Sequence, residues 1–189
     1  AGAWNALLPD DCWVASVHLM RDGFHARKSA RSRRYRYLVG TDNAAASPFR
    51  RHHEWALIRL LDGTALGGAA HVSRGEHSFE AFAVRGQPRP HYRCRLAVAE
   101  WRTRRGGRGY EFRVEGDRFL HHMVRMLVGT MVDIARGRRP ADDMRRLLES
   151  RDNAGTSAPA PPGGLYFVAA TYPASLFAGP AKESHDADR

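Results

Sequence analysis

One stretch, residues 119–130, constrains the fold of this chain more than any other. It is apolar enough to form a buried helix, yet it holds Arg125 at its middle. On a helical period one stripe is apolar and comprises Leu120, Met123, Val124, Leu127, Met131 and Ile134. A second stripe is polar and comprises Arg118, His122, Arg125, Gly129 and Asp133. Because a guanidinium keeps its proton, Arg125 must face a carboxylate, a phosphate or water. A structural ion pair and a snorkelling side chain are both open alternatives to a functional role.

The charge of the chain indicates the class of its partner. The 189 residues include 30 basic and 20 acidic ones, for a net charge of +10, and only Lys28 and Lys182 among the basic ones are lysines. Phosphate contacts provide most of the affinity of proteins with such an excess, and arginine pairs with phosphate through two parallel hydrogen bonds. A hydrophobic content of 43% predicts a folded globular protein. No apolar run reaches the roughly 18 residues of a membrane span.

Cysteine and histidine usage gives no sign of a metal or disulfide framework. Cys12 and Cys94 are too far apart in sequence to form a zinc ligand set, which fits a reducing cytoplasm. The histidine pairs at 52–53 and 121–122 are adjacent residues, which point in different directions on a helix or strand. We therefore predict a cytoplasmic protein without a bound metal.

Periodicity predicts the order β, β, α, ββ, α, α, β. Strands are expected over residues 13–19, 35–39, 93–101, 110–114 and 165–172, and the third and fourth of these form a hairpin. Helices are expected from the N-cap Asp62 to Gly75, from Arg118 or Phe119 to Ala135, and from Pro140 or Ala141 to Ser150. The segment 153–164 is expected to be a loop, and the tail from 178 to be disordered. This order predicts an α+β protein whose antiparallel sheet is flanked by helices.

Five motifs occur in an order and at spacings that carry a family resemblance. They are Phe24-His-Ala-Arg27, Arg33-Arg-Tyr-Arg-Tyr37, Ser47-Pro-Phe49, the stretch from Phe119 to Gly129, and Gly164-Leu-Tyr-Phe167 with Tyr172-Pro173 after it. Over residues 4–173 the chain resembles tRNA pseudouridine synthase A. The resemblance implies a pseudouridine-synthase-like fold and isomerisation of uridine to pseudouridine in the anticodon stem-loop of tRNA. It also implies a homodimer, with no cofactor and no metal.

The resemblance implies roles for three residues. Tyr35 is expected to stack on the target base near the proton that leaves C5, Arg125 to pair with a catalytic aspartate, and Leu165 to wall the base pocket. An aromatic ring in an arginine-rich strand suits an extruded base, and a neighbouring arginine lowers the pKa of an aspartate by about 1 to 3 units. Gly129 leaves room for another backbone or a nucleotide. An ordinary cross-strand aromatic remains the alternative for Tyr35, and without the resemblance Leu165 is interpreted as a core residue.

The predicted RNA-binding surface consists of basic residues within these motifs. They are His25, Arg27, Lys28, Arg31, Arg33, Arg34, Arg36, His121 and His122.

The family's nucleophile, an aspartate in a Gly-Arg-Thr-Asp segment, has no counterpart in this sequence. None of the twelve aspartates follows Arg-Thr. Asp133 lies about 12 Å along the helix axis from Arg125, too far for a direct pair, and Asp117 fits a capping position before the helix. We therefore expect an N-terminally truncated chain that is inactive alone and exposes apolar surface.

The expected divisions follow from this interpretation. Residues 1–23 are the end of an N-terminal half, 24–173 the C-terminal pseudouridine synthase domain, and 174–189 a disordered tail. Two alternatives remain open, a non-catalytic tRNA-binding module and a basic structural protein such as a ribosomal one. The apolar helix and the Gly-Leu-Tyr-Phe segment argue against the second alternative.

Overall fold

The computed structural model describes residues 2–84, 91–150 and 152–179 and contains two compact units. One unit comprises residues 32–170, and the other combines residues 1–31 with residues 171–189. The larger unit carries most of the regular structure.

A six-stranded sheet forms the larger unit. Its strands are β1 (Ser32–Gly40), β2 (Trp55–Ala56), β3 (Gly75–Ser78), β4 (Arg93–Thr103), β5 (Gly109–Gly116) and β6 (Leu165–Thr171). The order is β2-β1-β5-β4-β3, and β6 also pairs with β1. The predicted β4–β5 hairpin is confirmed, and the short β2 and β3 were not predicted. The α+β class is confirmed, although the sheet is mixed because β2 runs parallel to β1.

Alternation along the strands separates a buried face of the sheet from an open one. Tyr37 and Val39 of β1 are fully buried, as are Phe112 and Val114 of β5 beside them. Arg36, directly before Tyr37 in β1, is exposed. Successive side chains of a strand point to opposite faces, so the arginines of β1 at even positions lie on the side away from the core.

Helices α2 (Gly63–Val72), α3 (Met123–Ala135) and α4 (Asp143–Glu149) cover the buried face. The predicted N-cap of α2 is confirmed, because Asp62 Oδ1 accepts hydrogen bonds from the backbone N–H groups of Thr64 (2.8 Å) and Ala65 (3.0 Å). Helix α4 begins and ends inside its predicted range. The apolar stripe of α3 is buried against the sheet as expected.

The predicted start of α3 at Arg118 or Phe119 is wrong. His122 has a φ of 62°, in the left-handed region, and the helix begins only at the next residue, Met123. Arg118 and His122 therefore precede the helix, and the polar stripe on α3 itself consists of Arg125, Gly129 and Asp133. Sequence periodicity alone does not reveal a single residue of left-handed backbone.

The smaller unit contains the helix α1 (Gly2–Asn5) and extended segments. The predicted strand over residues 13–19 is wrong: these residues join no ladder, and only Met20 next to them forms an isolated bridge, with Phe177. The Asn5 side chain holds this segment instead, through two hydrogen bonds to the backbone of Val14. Apolar side chains of this unit are exposed, namely Trp4, Leu7, Trp13, Val17 and Leu19. Of the predicted disordered tail, residues 180–189 lie outside the described residues, and the predicted domain limits stay predictions.

No helix within the described part of the chain is long and apolar enough to cross a membrane.

Candidate active site

Tyr35 lies in a cluster of three aromatic rings that is open to solvent. Its ring makes edge-to-face contacts with Phe119, at 5.1 Å between centroids, and with Phe167, at 5.4 Å. Tyr35 and Phe119 are half-buried, whereas Phe167 is 59% exposed. An accessible aromatic surface of this kind can stack on a nucleobase.

Arg125 projects from α3 and is held by a backbone carbonyl. Its Nε donates a hydrogen bond of 2.6 Å to the carbonyl oxygen of Ala160, whose own N–H donates to the carbonyl oxygen of Arg125 at 3.0 Å. No carboxylate among the described residues forms an ion pair with this guanidinium. The alternative of an internal structural ion pair is therefore not realised in the described part of the chain.

Tyr37 lies beside Arg125 and binds the next carbonyl of the same loop. Its side chain is fully buried, and its hydroxyl donates a hydrogen bond of 2.6 Å to the carbonyl oxygen of Pro161. Burial raises the pKa of Tyr37 well above its ordinary value, and the positive charge of Arg125 acts in the opposite direction. The phenol is therefore protonated at neutral pH and acts as a hydrogen-bond donor.

Two glycines allow the loop of residues 158–164 to lie directly on α3 and β1. A Cβ at Gly129 would overlap the carbonyl oxygen of Ala158, and a Cβ at Gly164 would lie 2.7 Å from the Leu38 carbonyl oxygen and 2.8 Å from Cζ of Tyr37. The expectation that Gly129 makes room for another backbone or a nucleotide is met by a backbone. Both glycines are needed because the approach is too close for any side chain.

Leu165 follows this loop as the first residue of β6. It is half-buried and packs against the hydrophobic core. Residues two apart on a strand share a face, so Leu165 lies on the same face of β6 as Phe167, which contacts Tyr35. Tyr35 therefore contacts the strand that Leu165 begins, and Arg125 and Tyr37 both bind the loop that precedes Leu165.

His121 and His122 lie immediately before α3, near Arg125. Their ring centroids are 4.0 Å apart with the ring planes tilted by 34°, and both residues are exposed. Partial burial lowers the pKa of His122, and the charges of His121 and Arg125 lower it further. The shift favours the neutral imidazole, which can donate or accept a hydrogen bond.

Two of the predicted RNA-binding residues of β1, Arg34 and Arg36, do not lie on the same face of the sheet as Tyr35. Arg34 forms an ion pair with Glu115 at 3.1 Å, and the guanidinium of Arg36 lies 4.9 Å from the ring centroid of Tyr166. Both face the side of the sheet away from Tyr35, because side chains alternate along a strand. Arg33 donates to the carbonyl oxygen of Asp117 at 2.5 Å.

The remaining predicted RNA-binding residues belong to the smaller unit. His25 shapes their loop, because its Nδ1 accepts hydrogen bonds from the backbone N–H groups of Arg27 (3.2 Å) and Lys28 (3.4 Å). The side chains of Arg27, Lys28 and Arg31 are exposed, and the backbone N–H of Arg31 donates to the Thr171 carbonyl oxygen at 2.8 Å. The loop thus presents basic side chains from a defined backbone.

Comparison with known proteins identifies the family. A sequence model described as tRNA pseudouridine synthase matches residues 69–173. The chain belongs to this family. It is 39% identical over 170 residues to tRNA pseudouridine synthase A of Xanthomonas axonopodis pv. citri, covering 90% of the chain and 65% of the relative. It is 37% identical over 177 residues to that of Thermus thermophilus, covering 90% and 67%.

A third relative, tRNA pseudouridine synthase A of Shewanella amazonensis, is 36% identical over 185 residues, which cover 93% of the chain and 67% of the relative. The chain thus spans about two thirds of the length of the curated relatives that it matches. The resemblance based on the five motifs is confirmed.

Sequence reasoning assigned no role to several residues of this family site. Tyr37, Phe119, Gly164 and Phe167 all lie within the motifs that carried the resemblance. The two-residue spacing of Tyr35 and Tyr37 places both on one face, which is a signal that could have identified Tyr37. No such signal indicates the contacts of Ala160 and Pro161, because the amino-acid composition of a loop does not determine the direction of its carbonyl groups.

Within the described residues, no group of three or more His, Cys, Asp or Glu side chains is arranged to hold a metal ion.

Proposed function

We propose that this chain is the uridine-binding part of a tRNA pseudouridine synthase that acts on the anticodon stem-loop. The observation that carries the proposal is the environment of Arg125, a half-buried guanidinium fixed by a carbonyl and supplied with no carboxylate by the described residues. A charge left in this way is suited to a carboxylate that comes from elsewhere. The names of the relatives support tRNA as the substrate.

The proposed reaction rearranges one nucleotide and consumes nothing else. An aspartate carboxylate attacks the anomeric ribose carbon of the flipped uridine and displaces N1. The base rotates, and C5 then attacks the same ribose carbon and displaces the carboxylate. C5 then loses its proton and N1 gains one, so the atoms balance without a cofactor. Tyr35 stacks on the base near that proton, Leu165 walls the pocket, and Arg125 keeps the aspartate ionised by lowering its pKa.

We further propose that the chain alone does not catalyse the reaction, because its sequence contains no Gly-Arg-Thr-Asp segment. The nucleophile is then supplied by residues outside this sequence. A homodimer and a cytoplasmic location belong to the same proposal. RNA binding by this chain is supported by its net charge of +10 and by the exposed basic side chains of the His25 loop.

A non-catalytic tRNA-binding module is the second candidate. The missing nucleophile and the excess of positive charge also agree with this candidate. The two candidates differ in the activity of the full-length gene product, so that protein is the one to test.

The test measures release of tritium from C5 of uridine in an anticodon stem-loop transcript. We expect turnover by the full-length gene product and none by this chain alone. Arg125→Ala is expected to lower turnover by about 10³-fold or more, since it removes the partner of the nucleophile, while RNA affinity stays within a few-fold. Arg102→Ala, which removes an exposed arginine of β4 paired with Glu100, is the control and should keep turnover. Normal turnover by Arg125→Ala overturns the role of Arg125, and RNA binding without turnover by the wild type favours the binding module.

A further inference from the structure

We infer that Tyr37 is a positioning residue that fixes the guanidinium of Arg125 through the Ala160–Pro161 backbone. The catalytic consequence of this inference rests on the proposed function, whereas the positioning itself can be measured in the chain alone. Nothing in the family resemblance or in the comparisons assigns a role to Tyr37.

Arg125 and Tyr37 bind the same loop through hydrogen bonds. Arg125 Nε and Tyr37 Oη donate to the carbonyl oxygens of two successive residues, Ala160 and Pro161, each at 2.6 Å. The N–H of Ala160 donates to the Arg125 carbonyl oxygen at 3.0 Å. The loop is therefore attached to α3 on one side and to β1 on the other, and the direction of the Ala160 carbonyl depends on both attachments.

Tyr37 is itself closely packed. Its side chain is fully buried, and Gly164 lies so close that a Cβ there would be 2.8 Å from Cζ of the ring. The ring is thus restricted on the Gly164 side and packed within the hydrophobic core. Because Leu165 follows Gly164 directly, the same ring supports both the loop that holds Arg125 and the residue predicted to wall the base pocket.

A fixed Nε also fixes the orientation of the rest of the guanidinium. The group is planar, so a hydrogen bond at Nε to a fixed carbonyl sets the plane and direction of both Nη atoms. An ionic partner then meets a guanidinium that is already oriented. Small losses of such orientation are costly in catalysis, and a displacement of about 1 Å can reduce turnover by about 10²-fold.

The direct test is NMR exchange of the Arg125 Nε–H proton in this chain. Arg125→Lys identifies the signal by its disappearance. We expect slow exchange in the wild type and exchange at least about 10-fold faster in Tyr37→Phe, because the loop loses its second attachment. Tyr110→Phe is the matched control: it removes a hydroxyl that donates to the Leu61 carbonyl oxygen at 3.2 Å, away from Arg125, and should leave the signal unchanged. Equal exchange in the wild type and Tyr37→Phe overturns the inference.

A second substitution covers the case in which Tyr37→Phe does not fold. Incorporation of 4-fluorophenylalanine at position 37 keeps the ring and fills the space of the hydroxyl but removes the donor. Exchange of the Arg125 proton should then be faster than in the wild type, and exchange as slow as in the wild type overturns the inference.

Kinetics of the full-length gene product test the catalytic consequence. Tyr37→Phe should lower kcat by about 10- to 100-fold with KM nearly unchanged, while Tyr110→Phe of comparable melting temperature keeps kcat. A loss of kcat equal in the two variants, or none in Tyr37→Phe, overturns the catalytic part. If the wild type has no turnover on tRNA, the proposed function fails, and the exchange measurement alone decides whether Tyr37 positions Arg125.

Discussion

In the larger unit, one group of partly buried arginines has carboxylates as partners, whereas Arg125 has a backbone carbonyl. Near β2, Arg50 and Arg104 are 20% and 19% exposed, and both pair with Glu54, whose side chain is 2% exposed. Arg50 also binds Asp42, at 2.6 Å. Arg125, on α3, has a carbonyl oxygen as its partner and no carboxylate among the described residues.

The difference separates a structural charge from an available one. Burying an ion is costly unless a well-placed partner compensates, and the Glu54 group meets this condition within the chain. Asp143, whose side chain is 1% exposed, is likewise compensated by ion pairs, with Arg139 and Arg146. Arg125 departs from this pattern, and the loop that binds it leads into β6, whose Phe167 belongs to the exposed aromatic cluster. The departure is therefore the physical reason to regard Arg125 as functional.

The largest expected effect tests this distinction through stability. Glu54→Ala leaves two arginines facing each other without their buried carboxylate and should lower the free energy of unfolding by about 3 to 5 kcal/mol. Arg125→Ala removes one hydrogen bond to a carbonyl and should cost about 1 kcal/mol. Urea denaturation of this chain measures both. Equal losses for the two variants contradict the distinction.

A pair of glycine substitutions tests whether the Arg125 loop is as tightly placed as the contacts indicate. Gly129→Ala puts a methyl group against the Ala158 carbonyl oxygen and should cost about 1 to 3 kcal/mol. Gly68→Ala, also within a helix, has open space around the new Cβ and should gain about 0.5 to 1 kcal/mol. Thermal unfolding of both variants is the measurement. A gain for Gly129→Ala means that the loop can leave α3 without cost.

The elements that sequence predicted well are those with a strong period. The β4–β5 hairpin and the buried stripe of α3 follow from alternation and from a helical repeat, each sustained over many residues. Strands β2 and β3 are too short for a period to show, so they were missed. The predicted start of α3 is too early, because one residue with left-handed backbone, His122, precedes the helix without any change in the hydrophobic pattern.

The candidate site could be predicted only as a set of residues. Motif spacing indicated Tyr35, Arg125 and Leu165, whereas the carbonyl that binds Arg125 depends on how a loop of Ala, Pro and Gly folds back on α3. That path is set by close backbone approaches at Gly129 and Gly164, which are tertiary contacts without a local signal. Sequence identified the charge, and tertiary structure is needed to name its partner.

The same distinction between engaged and available cations predicts unequal effects on RNA binding. Lys28 is exposed in the His25 loop, whereas Arg34 is already paired with Glu115. Lys28→Gln should weaken binding of an anticodon stem-loop about 3- to 10-fold and reduce the slope of log affinity against log salt by about 0.7 to 0.9. Arg34→Gln should have a smaller effect, since RNA must compete with Glu115. A larger loss for Arg34→Gln means that its ion pair opens on binding.

The smallest expected effect distinguishes the two arginine groups by pH. Hydrogen bonds from Arg50 hold the pKa of Asp42 below its ordinary value, so the folded state binds fewer protons than the unfolded state near that value. The corresponding stability is present above the unfolded pKa of about 3.9 and is lost as pH falls through the folded pKa. Asp42→Asn should therefore flatten the decline of melting temperature between about pH 5 and pH 2. Arg125→Gln should leave that decline unchanged, because no carboxylate of the described residues depends on it. An equal flattening in both variants means that Arg125 has an acidic partner within the chain after all.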